Sequence, residues 1–170
     1  KKGWFNTGSF RGDKWFLHFT DAIPISFDIE LGVGKAQFDL SGLQVKDFNL
    51  STGASEVDLS FDQPNTSSID NMNIESGLSK FTGRNLGNAN FKHFKFQGGV
   101  GVYTLDFSGG LHAEVDVDVE VGLGVVTIVI PKDVGAKIMY EKNWVSRLEC
   151  DRDFESTSDN QYVSDNYSSA

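Results

Sequence analysis

Residues 27–40, FDIELGVGKAQFDL, place two glycines between two runs in which every second residue is apolar. A phosphate-binding loop of the Walker type needs a lysine followed by Ser or Thr, whereas Lys35 is followed by Ala36. A dinucleotide-binding fingerprint needs a third glycine three residues after the second, where this chain has Gln37 and continues to alternate like a strand. The stretch therefore predicts a corner in an extended chain and no nucleotide site.

This corner recurs along the chain at a nearly constant interval. Its first glycine returns four more times, with spacings of 21, 24, 22 and 23 residues. These corner glycines are Gly32, Gly53, Gly77, Gly99 and Gly122. Counted from each corner glycine, the positions −5, −3, +4 and +6, which we call the inner columns, are apolar in every unit except that Gly83 occupies +6 in the third. Such a period predicts a repeat architecture.

Polar residues occupy alternate positions of each repeat, and small residues occupy the corner. The −4 column holds Asp28, Asn49, Asn73, Lys95 and Asp118, and the −2 column holds Glu30, Ser51, Glu75, Gln97 and Glu120. Two residues after the corner glycine the chain always has Gly or Ser, as a tight corner with close backbone approach or positive φ requires. Successive strand residues point to opposite faces, so each repeat has a core face and a solvent face. We predict an all-β chain.

Two all-β architectures fit this repeat. Each unit could be a hairpin in which Leu31 pairs with Ala36 across a four-residue loop, and five hairpins would make a meander or barrel. Alternatively, each unit could be one coil of a β-solenoid, resembling a parallel β-helix, with like positions stacked about 4.8 Å apart. We favour a single-domain β-solenoid, because the same residue class recurs column after column and hairpins do not need so constant a length.

The repeat divides the chain into three parts. Residues 1–21 are predicted to form an aromatic N-terminal cap, residues 22–140 a five-coil solenoid, and residues 141–170 a C-terminal strand with a polar loop or tail. The cap has two adjacent aromatic pairs, and in a strand one member of each pair would cover the core while the other faced outward. We therefore expect a partner contact, in a homodimer, through Trp4, Phe5, Trp15 and Phe16.

Composition excludes several classes of partner. The net charge of −9 argues against nucleic acid and against adsorption to anionic lipid, because both ligands need cationic side chains. The longest apolar stretch, 121–130, contains two glycines and is far shorter than the about 20 residues that span a bilayer. Cys150 is the single cysteine, so no disulfide framework forms within the chain. The sequence begins with Lys1 rather than methionine, and we expect any leader or anchor to lie upstream.

Candidate metal ligands are few in this sequence. The histidines His18, His93 and His112 are scattered and lack the spacing of a metal site. An acidic strand raises a calcium hypothesis with Glu114, Asp116, Asp118 and Glu120. Calcium sites usually draw ligands from turns, however, and alternating acids are also typical of a solvated strand face. We expect no metal and no cofactor.

The sequence also lacks a catalytic signature. Some β-helical enzymes degrade carbohydrates with carboxylates clustered on one face. The polar columns here mix acids with amides, lysine and serine, and no Gly-x-Ser-x-Gly motif of a serine nucleophile occurs. We therefore expect no enzymatic activity.

The repeated segments resemble a known group of bacterial domains. FDIELGVGKAQFDLSGL (27–43), FNLSTGASEVDLSF (48–61), FQGGVGVYTLDFSG (96–109) and VEVGLGVVTIVIP (119–131) are similar to the bacterial adhesin-type and toast-rack β-solenoid domains, which resemble the C-terminal domain of LiaF-type envelope-stress proteins. The resemblance covers residues 22–140. It implies a β-solenoid that works in the bacterial envelope, and it brings no catalytic residues that could be carried over.

Three functions remain as hypotheses. The leading one is a non-enzymatic module of the bacterial cell envelope, an adhesin or interaction scaffold that contacts protein or glycan. The alternative is a regulatory or sensory domain of a LiaF-like system that responds to cell-wall antibiotics. The third is a carbohydrate-active β-helix enzyme, which a cleft with two convergent carboxylates would favour. We expect the full-length protein to be exported or membrane-anchored.

Overall fold

The fold is a five-turn β-solenoid followed by a small antiparallel sheet. The structure is a computed structural model, and it describes residues 14–111, 113–141, 147–150 and 153–167. The five solenoid strands are β1 (Pro24–Asp39), β2 (Gln44–Ser60), β3 (Ile69–Arg84), β4 (Phe91–Asp106) and β5 (Asp116–Val129). They form one sheet in chain order, and every neighbouring pair is parallel.

The strand register confirms the predicted repeat. The −5 column aligns in space through the pairs Phe27↔Phe48, Phe48↔Met72, Met72↔Phe94 and Phe94↔Val117. Each strand is therefore aligned with the strand one repeat earlier in the chain, so that equivalent positions stack along the solenoid axis. The hairpin alternative is wrong, because hairpins would make neighbouring strands antiparallel.

Each coil folds back on itself at its corner glycine. Phe96 and Tyr103 are seven residues apart, which in a straight strand would separate them by about 23 Å. Their ring centroids lie only 5.1 Å apart. The residues before the corner glycine form a first arm and those after it form a second arm. The two arms of each coil enclose the core between them.

The inner columns form the core, but only the middle coils bury them fully. Phe48, Phe94, Phe96 and Leu105 are all at most 1 % exposed, and the third coil is equally closed. The last coil differs, since Val117 is 40 % exposed and Ile128 is 45 % exposed. The prediction of one continuous apolar column is therefore confirmed in the middle of the stack, while the end of the solenoid leaves part of that column open to solvent.

The third side of each coil is irregular and depends on asparagine hydrogen bonds. Asn65 is buried; its Nδ2 donates to the carbonyl oxygens of Val45 and Ala89, at 2.7 and 2.9 Å, and its Oδ1 accepts from the Val45 N–H at 2.8 Å. One side chain thus joins three successive coils. A short 3-10 helix, Leu86–Ala89, fills the same side of the fourth coil. Among the described residues, no helix has both the length and the apolar character needed to cross a membrane.

The N-terminal segment covers the first coil differently from the prediction. Trp15 and Phe16 are both 81 % exposed, and residues 14–20 are not in a strand. Neither member of this pair therefore covers the core. Phe19 does so instead, with its ring 5.1 Å from that of Phe27 in an edge-to-face contact. Trp4 and Phe5 lie outside the described residues.

The C-terminal part also differs from the prediction. The expected polar loop or tail after residue 151 contains strands β7 (Phe154–Ser158) and β8 (Gln161–Ser164), joined by a two-residue turn. Strand β6 (Lys137–Met139) pairs with β8 in an antiparallel sheet of order β6-β8-β7. The last solenoid strand ends at Val129, so β6 does not continue the stack to residue 140.

Close backbone contact is what requires glycine at the corners. A Cβ atom on Gly77, Gly99 or Gly122 would lie 2.8–2.9 Å from the carbonyl oxygen of the corner glycine in the preceding coil. Side-chain carbons essentially never approach that closely. Gly99 does not have a positive φ, so the reason is crowding between coils rather than a left-handed backbone. Positive φ values occur two residues after the corner glycine in the first and last coils, at Gly34 and Gly124.

Replacing Gly99 with alanine should therefore destabilise the solenoid. We expect Gly99→Ala to lower the free energy of unfolding by about 1–3 kcal/mol, as overpacking does. Gly32→Ala is the matched control, because a Cβ there meets no atom within 4 Å. Urea denaturation of both variants measures the difference, and equal stabilities would contradict the stacking argument.

Replacing an inner-column side chain with alanine should cost less stability at the end of the stack than in the middle. Leu105 is 0 % exposed, so Leu105→Ala should lower the free energy of unfolding by about 2–5 kcal/mol. Ile128→Ala should cost clearly less in dilute solution, because that side chain is half in solvent already. In the sequence both residues occupy the +6 inner column, so the repeat alone does not distinguish them. Chemical denaturation of the two variants checks this order, and a larger loss at Ile128 would contradict it.

Candidate functional site

The outer face of the first arm carries a regular polar surface. The −4 and −2 columns point away from the core, and the parallel register stacks each column along the axis at about 4.8 Å per coil. An open groove of about 620 Å³ follows this surface beside the corner. We use the name polar groove for this groove together with the adjoining cleft that Asn49, Asn73 and Lys95 of the −4 column line. Its other walls are formed by Ser51, Glu75, Gln97 and Glu120 of the −2 column and by the corner glycines Gly77, Gly99 and Gly122.

Hydrogen bonds between coils hold the side chains of this surface in place. Asn73 Nδ2 donates to Asn49 Oδ1 at 2.9 Å, and Gln97 Nε2 donates to Glu120 Oε2 at 2.8 Å. Each bond leaves further donor and acceptor positions of these amides and carboxylates directed to solvent. The polar groove thus offers hydrogen-bonding groups in successive coils, four of them held by these two bonds, that an extended ligand could contact coil by coil.

The charges of this surface are mainly negative. The −4 and −2 columns together contain five carboxylates and one lysine. On the outer face of the second arm, charges are paired across coils instead: Arg84 and Asp58 are 2.9 Å apart, and Glu56 bridges Lys35 and Lys80. The hydrogen bond from Lys35 and the positive charge of its ammonium group lower the pKa of Glu56. The same hydrogen bond and the negative charge of Glu56 raise the pKa of Lys35. The first arm is therefore the more acidic of the two outer faces.

The acidic strand proposed as a calcium site does not converge on a point. Asp116 lies 3.2 Å from His93 Nδ1 on the neighbouring strand, and Glu120 accepts a hydrogen bond from Gln97. Both carboxylates thus contact side chains of the neighbouring strand β4, and they do not face one another. Across the part of the chain that the structure describes, no group of three or more His, Cys, Asp or Glu side chains could hold a metal ion. His112 lies outside that part.

Calcium should therefore leave the stability of the protein unchanged. Native-state binding would raise the midpoint of thermal unfolding by mass action. We expect the same midpoint in millimolar calcium and in excess chelator. A calcium-dependent rise of several degrees that Asp118→Asn abolishes would contradict this expectation and restore the acidic strand as a site.

The carboxylates of the polar groove are poorly suited to acid–base catalysis. Glu75 and Glu120 project from strands that are separated by β4, and both are exposed. A carboxyl group that acts as a general acid near neutral pH is usually kept in an apolar environment, which favours its protonated form. The arrangement supports binding through hydrogen bonds better than it supports catalysis.

An exposed apolar ridge on the outside of the corner was missed by the sequence reasoning. The residue after each corner glycine is apolar in all five coils and lies on the surface. This ridge consists of Val33, Ala54, Leu78, Val100 and Leu123. Its signal was present in the sequence as a fifth apolar column at +1. Strand alternation does not indicate which face a residue at a corner takes, so the column was not assigned.

A comparison with protein families gives a match to the N-terminal part of the chain. The family model described as the N-terminal domain of toast_rack, DUF2154, matches residues 1–84, which end with the last residue of β3. This match supports a toast-rack family domain in that part of the chain. The match includes the first three of the five stacked corners. Neither a curated protein nor a solved structure matches the chain. The toast-rack family is not a known enzyme family, and its domains are of an envelope type.

Proposed function

We propose that this toast-rack domain is a non-enzymatic binding module of the bacterial cell envelope, an adhesin or interaction scaffold. The observation that carries the proposal is the polar groove, in which hydrogen-bonding side chains are repeated at the spacing of the coils. We further propose that the domain is exported or membrane-anchored in the full-length protein.

The best-fitting ligand for such a groove is an extended glycan chain. Hydroxyl and amide groups recur along a polysaccharide, and the fixed Asn, Gln, Ser and Glu side chains of the −4 and −2 columns offer both donors and acceptors to them. Each contact is weak by itself, since a hydrogen bond contributes about 1 kcal/mol net. Several coils that bind one chain together give a useful affinity. The acidic character further favours a glycan that carries amino groups.

A second candidate function is that of a regulatory domain that binds another protein of an envelope-stress system. The apolar ridge favours it, because a row of exposed apolar side chains is typical of protein–protein contacts. In that case the partner would cover Leu78, Val100 and Leu123 at the outside of the corner. The two functions use different surfaces, so variants can separate them.

Binding to purified peptidoglycan sacculi in a pelleting assay tests the leading proposal. We expect the wild-type domain to pellet with the sacculi and the double variant Asn73→Ala, Gln97→Ala to bind about tenfold more weakly or worse, because two inter-coil contacts and their ligand bonds are lost. The matched control is Gln37→Ala, Thr104→Ala, which removes polar groups from the outer face of the second arm instead. The control should bind like the wild type.

Two outcomes would contradict this proposal. One is failure of the wild-type domain to pellet with sacculi. The other is equal binding by the groove variant and the control. In the second case, a loss of sacculus binding in Leu78→Ser, Val100→Ser would move the contact from the polar groove to the apolar ridge.

A further inference from the structure

The outer edge of β5 is an open end of the solenoid core. Strand β5 is the last in the sheet order, and the described residues place no further strand beside it. In the fourth coil Phe94 and Leu105 are almost fully buried, because β5 covers them. Their equivalents in β5, Val117 and Ile128, are 40 % and 45 % exposed. A long edge strand presents a row of unpaired N–H and C=O groups, which is a template for pairing with a strand of another chain.

We propose that β5 pairs antiparallel with β5 of a second copy, forming a tail-to-tail dimer with a two-fold axis through the corner. This inference goes beyond the proposed function and does not depend on it. It also concerns the opposite end of the solenoid from Trp15 and Phe16, where the sequence predicted a partner contact.

The symmetry of the repeat makes this register specific. The inner columns lie at −5 and −3 before the corner glycine and at +4 and +6 after it, so they are nearly symmetric about the corner. A two-fold axis that passes between Gly122 and Leu123 places Val117 of one copy opposite Ile128 of the other. It likewise places Val119 opposite Val126. Facing residues in an antiparallel pair share one side of the sheet. The inner face of one copy thus meets the inner face of the other, and the two cores become continuous.

The folded shape of the coil permits this axis. Each coil has two arms that meet at the corner, as the contact between Phe96 and Tyr103 shows. A two-fold axis that bisects the angle between the arms exchanges the first arm for the second. It also reverses the chain direction and inverts the stacking axis. The bent strand therefore fits onto its own copy without straightening.

Charge selects this arrangement over a head-to-tail stack. If β5 paired in parallel with β1 of another copy, the columns would continue, and Asp118 would lie beside Asp28 and Glu120 beside Glu30. Like charges at neighbouring positions of a sheet are destabilising. The antiparallel register instead places Asp118 opposite Thr127 and Glu120 opposite Val125. In addition, Phe19 packs on Phe27 and so covers part of the β1 end, where a head-to-tail contact would have to form.

Such a dimer has a consequence for binding. The two-fold axis gives two polar grooves, one on each copy, and the paired strands hold them in a fixed relation. Isologous pairing also closes the assembly at two copies, whereas a head-to-tail contact would extend into a filament. A dimer could bind two sites on one ligand, which raises its avidity.

Light scattering coupled to size-exclusion chromatography tests the assembly. We expect the wild-type protein to have the mass of a dimer and Ile128→Lys to be monomeric, with the association weakened about a hundredfold, because the ammonium group would be buried opposite Val117 of the partner. Circular dichroism should show the same fold in this variant, since the side chain is half exposed in the monomer. The control Val33→Lys places the same charge on the apolar ridge and should remain a dimer.

Disulfide trapping tests the register independently of folding effects. In a Cys150→Ser background, a mixture of Asp118→Cys and Thr127→Cys proteins should form a mixed disulfide dimer, since facing Cβ atoms in an antiparallel pair are about 5 Å apart. Neither protein alone should cross-link efficiently. A monomeric wild type at high concentration, or a dimer that Trp15→Ala, Phe16→Ala dissociates while Ile128→Lys does not, would overturn the proposal. So would efficient cross-linking within the Asp118→Cys protein alone.

Discussion

The whole fold depends on the close approach of successive coils at the corner. There the backbone of one glycine lies so near the carbonyl oxygen of the glycine above it that a side chain has no room. This contact sets the register of every strand, because a shift by one residue would bring a bulkier residue into the crowded position and would turn the inner columns outward. The corner glycines thus fix both the tight bend and the alignment of the inner columns.

Register in turn determines what the two faces can do. On the inside, aligned aromatic and aliphatic side chains stack from coil to coil, so the core grows with each repeat, and Tyr103 fills the space that Gly98 and Gly101 leave. On the outside, the same alignment turns scattered polar residues into columns, in which amides such as those of Asn49 and Asn73 bond to each other. The polar groove is therefore a consequence of the stacking rather than a separate element of the fold.

The period made the solenoid predictable from sequence, because the spacing of the corner glycines is the register of the strands. The ends were less predictable, since a repeat does not show which of its copies lacks a neighbour. Hence Ile128 looked like Leu105 in sequence, although one is half exposed and the other is buried. The hairpin of β7 and β8 was missed because composition was weighed above the turn residues Asp159 and Asn160, which join two short segments able to pair. The polar columns of the site were found in full, whereas the apolar ridge was not.

The middle of the repeat and its end therefore have different properties. In the middle coils, which have a neighbouring coil on each side, the inner side chains are buried, and polar side chains recur on the surface at the spacing of the coils. Where the repeat stops, at β5, the inner columns lack the coil that would cover them, although their pattern is unchanged. A sequence that keeps valines and isoleucine on the inner face of its last coil, rather than replacing them with polar residues, retains an apolar surface that solvent does not favour. The near-symmetry of that coil about the corner allows the proposed antiparallel pairing with a second copy, which would cover this surface.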